Sequence, residues 1–227
     1  MSPLEEKLSY SFKDPGLLET ALTHSSFLNE HELPKTACNE RLEFLGDAVL
    51  EKETSAFLYQ VFPEEMEGRL SRMRAALVCE EALAECARKL DLGEALRLGK
   101  GMEKSGGRNS DAIISDAFEA LIAALYLDGG SEVSSAFIKK YVLADYEERL
   151  VLHDAKTYLQ EEVQKNGHVI TYELVSESGP PHAPVFSSAV LMDGERITEG
   201  TGNSKKQAEQ KAAAAMLSLI REHRICI

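Results

Sequence analysis

The sequence predicts a two-domain protein of mixed class, with an all-helical domain over residues 1–150 and an α-β-β-β-α domain over residues 154–223. Three observations carry this reading. Through the first 150 residues apolar side chains recur at three- and four-residue spacing, and alternating runs are absent. Beyond about residue 153 strand-like alternation begins, punctuated by turn residues. The charge also divides: residues 1–150 hold 17 Lys/Arg against 28 Asp/Glu, a net of −11, whereas residues 151–227 hold 8 against 10, a net of −2.

In the first domain the periodicity predicts helices over 3–9, 15–22, 39–60, 67–90, 94–99, 110–128 and 131–150. Turn chemistry separates them at Asp14-Pro15-Gly16, Leu33-Pro34, Phe62-Pro63, Ser105-Gly106-Gly107 and Asp128-Gly129-Gly130. The second domain opens with a helix over 155–166. Strands over 171–176, 185–192 and 195–200 follow, the last two joined by Asp193-Gly194, a strong hairpin signal. A helix over 205–221 closes it, its start marked by Ser204 and Gln207 in capping-box spacing.

Composition narrows the class. Apolar residues make up 44% and charged residues 28%, as in a folded globular chain rather than a disordered one. No charge-free apolar run reaches the roughly 18 residues of a membrane helix, and the acidic N-terminus lacks a signal-peptide plan. A cytoplasmic protein without a membrane partner is expected. Cys38, Cys79, Cys86 and Cys226 form no C-x-x-C pair, so free thiols are expected rather than zinc or disulfides. A net charge of −13 argues at face value against a nucleic-acid partner, unless carboxylates hold metal ions and local basic clusters meet the phosphates.

The most informative stretch is Asn39-Glu40-Arg41-Leu42-Glu43-Phe44-Leu45-Gly46-Asp47-Ala48-Val49-Leu50. On a helix at about 100° per residue, Glu40, Glu43, Asp47 and Glu51 fall within about 80° of arc, opposite Leu42, Leu45 and Val49. Such a row repels itself; a solvated acidic face is the plain alternative. Residues 112–126 shift the balance. They are apolar nearly all round, as in a buried helix, and their only acids are Asp116 and Glu119, three apart on one face. Buried carboxylates need a partner or become neutral. Two acid-bearing helices facing each other would make an oxygen-rich site suited to magnesium or manganese. Glu67 could join its edge or be a simple helix-start acid.

These residues resemble the ribonuclease III family. Asn39–Leu50 is similar to its signature helix, and Ser115-Asp116-Ala117-Phe118-Glu119-Ala120-Leu121-Ile122 to its second metal-binding segment. Thr23-His24-Ser25, the Glu67-Gly68 turn and the Gly106-Gly107-Arg108 loop fall in family order, so the resemblance spans essentially the whole chain. It implies a double-strand-specific endoribonuclease with 5′-phosphate and 3′-hydroxyl products, acting on ribosomal and other structured RNA precursors. It also implies that Glu43, Asp47, Asp116 and Glu119 hold Mg2+ (Mn2+ substituting), with Asp47 and Glu119 catalytic and Glu40 and Glu67 as auxiliary acids. A homodimer is implied too, with Phe44 inserted into the partner subunit; an ordinary core aromatic is the alternative for Phe44. His24 is read as structural rather than as a general base, since metal ions supply the activated water.

The second domain resembles the double-stranded-RNA-binding domain through Lys156–Glu161, Gly179–Pro184 and Ser204–Glu209. Thr157, Gln160, Glu161 and His182 would meet 2′-hydroxyls and base edges, and Lys205 and Lys206 phosphate, reading shape more than sequence. Should the lysines not carry the phosphate contact, Arg108 is the next candidate. Past Leu50 the family's helix usually stays apolar, whereas this chain reads Glu51-Lys52-Glu53-Thr54. Either the helix bends, or Lys52 and Glu53 pair with each other or a neighbour, or the packing differs. A non-catalytic duplex-RNA-binding protein that uses the helical domain only to dimerise is the alternative function.

Overall fold

The structure, a computed structural model, describes residues 2–31, 33–180, 184–222 and 224–225, with the side chains of residues 151–153 left aside. The described chain divides into two compact units, Met1–Tyr146 and Glu147–Ile227.

The first unit is helical, as expected. Its helices are α1 (Pro3–Leu8), α2 (Pro15–Ala21), α3 (Ser25–His31), α4 (Glu40–Val61), α5 (Glu67–Val78), α6 (Glu80–Lys89), α7 (Leu92–Ala95), α8 (Lys100–Lys104) and α9 (Asp111–Tyr141). Helix α9 is the axle. Ile114, Ala117, Phe118, Ala120, Leu121, Ile122, Ala123 and Ala124 are all buried along it, so it can only lie in the middle of the unit. Helices α4 and α6 pack against it most extensively. Its N-terminal loop clasp is polar: Asp128 accepts from the Tyr10 hydroxyl at 2.6 Å and from the backbone N–H groups of Lys13 and Asp14.

Four helical expectations need correction. The helix expected over 67–90 is two, because Cys79 is extended (φ −69°, ψ 157°) and starts α6. The helix expected over 94–99 lies over Leu92–Ala95 instead, and Arg97 then bridges Thr23 in parallel, its N–H donating to the Leu22 carbonyl at 2.8 Å. The break expected at Asp128-Gly129-Gly130 is a kink at Gly130 (φ 81°, ψ −179°) within α9. The helix expected over 131–150 stops at Tyr141, and Tyr146 begins the next. Helix α3, absent from the sequence reading, is fastened by tertiary contacts: Ser26 Oγ accepts from Gly99 N–H at 2.9 Å and Glu30 from Lys100 N–H at 2.7 Å.

The second unit carries α10 (Tyr146–Lys165, with non-helical φ/ψ at Asp154), β1 (Ile170–Ser178), β2 (Val185–Met192), β3 (Glu195–Gly202) and α11 (Lys205–Arg221). The strands form one antiparallel sheet in the order β1-β2-β3, with bulges after Leu174 and Val190. Asp193 and Gly194 both adopt left-handed backbone (φ 52° and 87°), the geometry a two-residue hairpin turn requires. The alanine stripe of α11 exists for close approach: Ala212 and Ala213 are fully buried, and Thr198 Oγ1 on β3 donates to the Ala212 carbonyl. Leu159, Val163, Val190 and Met216 complete that core.

Candidate active site and RNA-binding module

Helices α4 and α9 bring the predicted acids together. Gly46, between Glu43 and Asp47, has no side chain, and the space where a Cβ would stand is taken by the Glu119 carbonyl. The two backbones therefore touch at the level of the acids, and Glu43 and Asp47 on α4 act electrostatically on Glu119 of α9.

The field is strongly negative. Glu119 is pushed up to about 8, first by burial and then by Asp47, Glu43, Asp116 and Glu51. Glu43 is raised by burial, Asp116, Glu40 and Asp47. Asp116 is raised by burial and Glu80, against a lowering by His24. Each shift has the cause expected when carboxylates crowd a half-buried site without a compensating cation. Among the described residues, no group of three or more His, Cys, Asp or Glu side chains already stands as a metal-ligand cluster. The donor set is nonetheless right for a hard divalent cation: acceptor-only oxygens on two rigid helices.

The remaining sequence candidates fall differently. Glu40 is exposed and reaches the site only through Glu43. Glu67 is exposed, accepts from Ser71 Oγ at 2.8 Å, and is not among the charges acting on Glu43, Asp116 or Glu119. Glu51 and Glu80 do act on the site and were not singled out as members; nothing distinguishes Glu80 in sequence from an ordinary helix-start acid. Glu51 is met by Arg74 at 3.8 Å, whose guanidinium also donates to Ser55 at 3.0 Å. His24 takes the backbone N–H of Ser26 on Nδ1, a turn-building bond that fits its structural reading. Phe44 is no core aromatic: it is 81% exposed.

Lys52 and Glu53 answer the departure in α4 by pairing with each other at 2.6 Å. Glu53 is only 15% exposed. Burial raises its carboxyl, but hydrogen bonds from Lys52 and from Ser135 on α9 outweigh that and hold it low.

In the second unit Thr157, Gln160 and Glu161 are exposed on α10, and Lys205 and Lys206 are exposed at the start of α11. Ser204 Oγ accepts from Gln207 N–H at 3.2 Å, while Gln207 Oε1 reaches back to Asn203 N–H at 2.8 Å. The reciprocal cap is thus present, one residue earlier than a standard box on its return arm. His182 and Cys226 lie outside the described residues. Arg108, the reserve phosphate contact, is engaged within the protein: its Nη1 donates to the carbonyls of Gly93, Glu94 and Leu96 at 3.0, 3.2 and 2.8 Å and its Nε to Glu103 at 2.9 Å.

Known proteins agree with this anatomy. Residues 14–146 match the family described as Ribonuclease-III-like, and residues 155–220 match the double-stranded RNA binding motif. Fold and site thereby define a class, the double-strand-specific endoribonucleases with a helical nuclease domain and a three-stranded RNA-binding domain. The chain is 49% identical to Ribonuclease 3 of Streptococcus pneumoniae (strain P1031) over 213 residues, 92% of each chain. It is 45% identical to Ribonuclease 3 of Bacillus licheniformis over 222 residues, 96% of this chain and 89% of that one. Among solved structures it resembles the nuclease domain of Campylobacter jejuni ribonuclease III, described for flexibility in a region involved in dimer formation. That match has a TM-score of 0.59 and 40% identity, covering 64% of this chain and 98% of that one. The chain belongs to the ribonuclease III family, and membership implies a divalent metal cofactor and sets aside the purely non-catalytic alternative. Among the described residues no helix is long and apolar enough to cross a membrane.

Proposed function

We propose that this chain cleaves duplex RNA with Mg2+ held by Glu43, Asp47, Asp116 and Glu119, Mn2+ serving in its place. The observation that carries the assignment is the position of Asp116 and Glu119. They are acids on a helix otherwise buried among apolar neighbours, facing Glu43 and Asp47, with carboxyls raised by burial and crowding. A divalent cation bound there supplies an activated water and neutralises charge on the phosphate. The protein's own part is to hold the oxygens. Helices α4 and α9 fix the spacing, Gly46 lets them close, and Asp47 and Glu119 face the scissile phosphate directly. Glu40 and Glu67 serve as auxiliary acids at the rim.

The functional modules run over residues 1–150 and 154–223. In the second, Thr157, Gln160, Glu161 and His182 meet 2′-hydroxyls and base edges, and Lys205 and Lys206 meet phosphate. The enzyme works as a cytoplasmic homodimer on ribosomal and other structured RNA precursors, without a membrane partner. An exposed Phe44 supports its burial in a partner subunit, since a lone phenyl at that exposure gains most by being covered.

Incubating the chain with long duplex RNA in Mg2+, and in EDTA, tests the reading. Short duplex fragments with 5′-phosphate ends should form only with the metal. Intact duplex under both conditions would overturn it.

A further inference from the structure

Helix α11 carries an acid in an awkward place. Lys205 and Lys206 open it, and Glu209 follows four and three residues later, on the same face one turn on. A free carboxylate there would draw Lys205 into an intrahelical pair and repel the phosphates that the lysines are placed to meet.

Glu209 is not free. Its Oε2 accepts from Lys156 Nζ at 2.6 Å, and its side chain is 13% exposed. Lys156 is itself held from two further sides. Its backbone N–H donates to Gln210 Oε1 at 2.9 Å, and its ammonium lies 4.4 Å from the centre of the Tyr172 ring. The Tyr172 hydroxyl is buried without a hydrogen-bond partner among the described residues, and burial followed by the charge of Glu209 pushes its pKa up. The phenol therefore stays neutral and offers Lys156 only its ring face. Lys156 thus has one anionic partner, Glu209, and is next in sequence to Thr157.

We propose that Lys156 is a positioning residue for duplex binding. By sequestering Glu209 it leaves Lys205 and Lys206 to the phosphates, and by gripping Gln210 it fixes the start of α11 against the turn that carries Thr157 and Gln160. The inference rests on the assignment of those residues as RNA contacts. It gives the ion pair a task in recognition that neither member performs by touching RNA.

Four variants of the full-length protein, K156M, E209Q, K156M/E209Q and K205A/K206A, are titrated with one duplex in EDTA at several salt concentrations. Losing Lys156 should weaken binding by about three- to tenfold, the scale of one uncompensated, partly solvated charge. The salt slope should change by much less than the roughly 0.9 that one phosphate contact contributes. E209Q should bind at least as well as wild type, and adding it to K156M should restore affinity. Wild-type binding by K156M overturns the proposal. So does a double variant as weak as K156M with a slope lower by about 1, which would make Lys156 a direct phosphate contact. If K156M loses the wild-type circular dichroism, K156R replaces it: it keeps the charge and should bind as wild type, and weak binding by a folded K156R overturns the proposal. Wild-type affinity and slope for K205A/K206A would instead sink the assignment of the RNA contacts themselves.

Discussion

Gly46 of α4 lies so close to the carbonyl of Glu119 on α9 that any side chain at position 46 would occupy the space of that oxygen. The contact sets the separation between the two pairs of acids. Gly46→Ala should therefore push the helices apart, costing about 2 kcal/mol by the usual scale of overpacking. Urea unfolding reads the cost, and a duplex-cleavage assay should show activity falling further than stability alone explains. An alanine variant with unchanged unfolding midpoint and turnover would mean that the helices are not held by this contact.

Glu119→Gln should leave duplex binding nearly intact while cleavage falls by orders of magnitude. Glutamine keeps the shape of the side chain but removes the charge proposed to hold a divalent ion. Turnover near wild type at millimolar Mg2+ would remove Glu119 from the ligand set.

The same residue makes metal-free stability depend on pH. Its folded carboxyl titrates near 8 rather than at its ordinary value of 4.5, so the folded chain holds the proton more tightly than the unfolded one. That contribution is complete below about pH 4.5 and disappears as pH rises through about 8. In EDTA the melting temperature should fall across this window, and Glu119→Gln should flatten the fall. Asp128 and Asp193 are lowered instead, so their contributions are lost only on stronger acidification. Parallel melting curves for wild type and variant across the window would contradict the crowding described for the site.

Changing Lys205 and Lys206 together to alanine should weaken binding of every duplex alike and flatten log K against log salt by roughly 1 to 2 units. Gln160→Ala should lower affinity with little change in slope, because the contact proposed for it is to uncharged groups. Titrations at several salt concentrations separate the two.

Phe44→Asp in the full-length chain should shift it from dimer to monomer in equilibrium sedimentation at micromolar concentration. In the proposed dimer a charged side chain would have to be buried unpaired in the partner. A variant that remains dimeric would place the interface elsewhere.

Much of this was legible in the sequence, and what was missed shares a cause. The acid pairs were readable because Glu43, Asp47, Asp116 and Glu119 repeat at helical spacing against an apolar background, a local pattern. The strands and their hairpin were readable because Asp193-Gly194 demands one backbone geometry. Helix α3 was not, since only Leu28 of it is buried and its anchors, Gly99 and Lys100, lie some seventy residues away. The break at Cys79 carries no glycine or proline, and the apolar period runs through it. Leu92 and Leu96 keep a helical period although the chain turns extended after Ala95, where Leu96 and Leu98 alternate as in a strand and Arg97 joins Thr23. For Arg108, named as the next phosphate candidate, the sequence does not reveal the three carbonyls that hold it.

That hold has a genetic consequence. A substitution at Arg108 would remove the guanidinium that ties the carbonyls of Gly93, Glu94 and Leu96 together at the end of α7, a folding lesion that cells register as protein degraded before use. In a screen for lost RNA maturation, Arg108 and Asp47 variants would score alike, yet immunoblots should part them. The first would be scarce and partly rescued by low growth temperature or overexpression; the second would be abundant yet inactive.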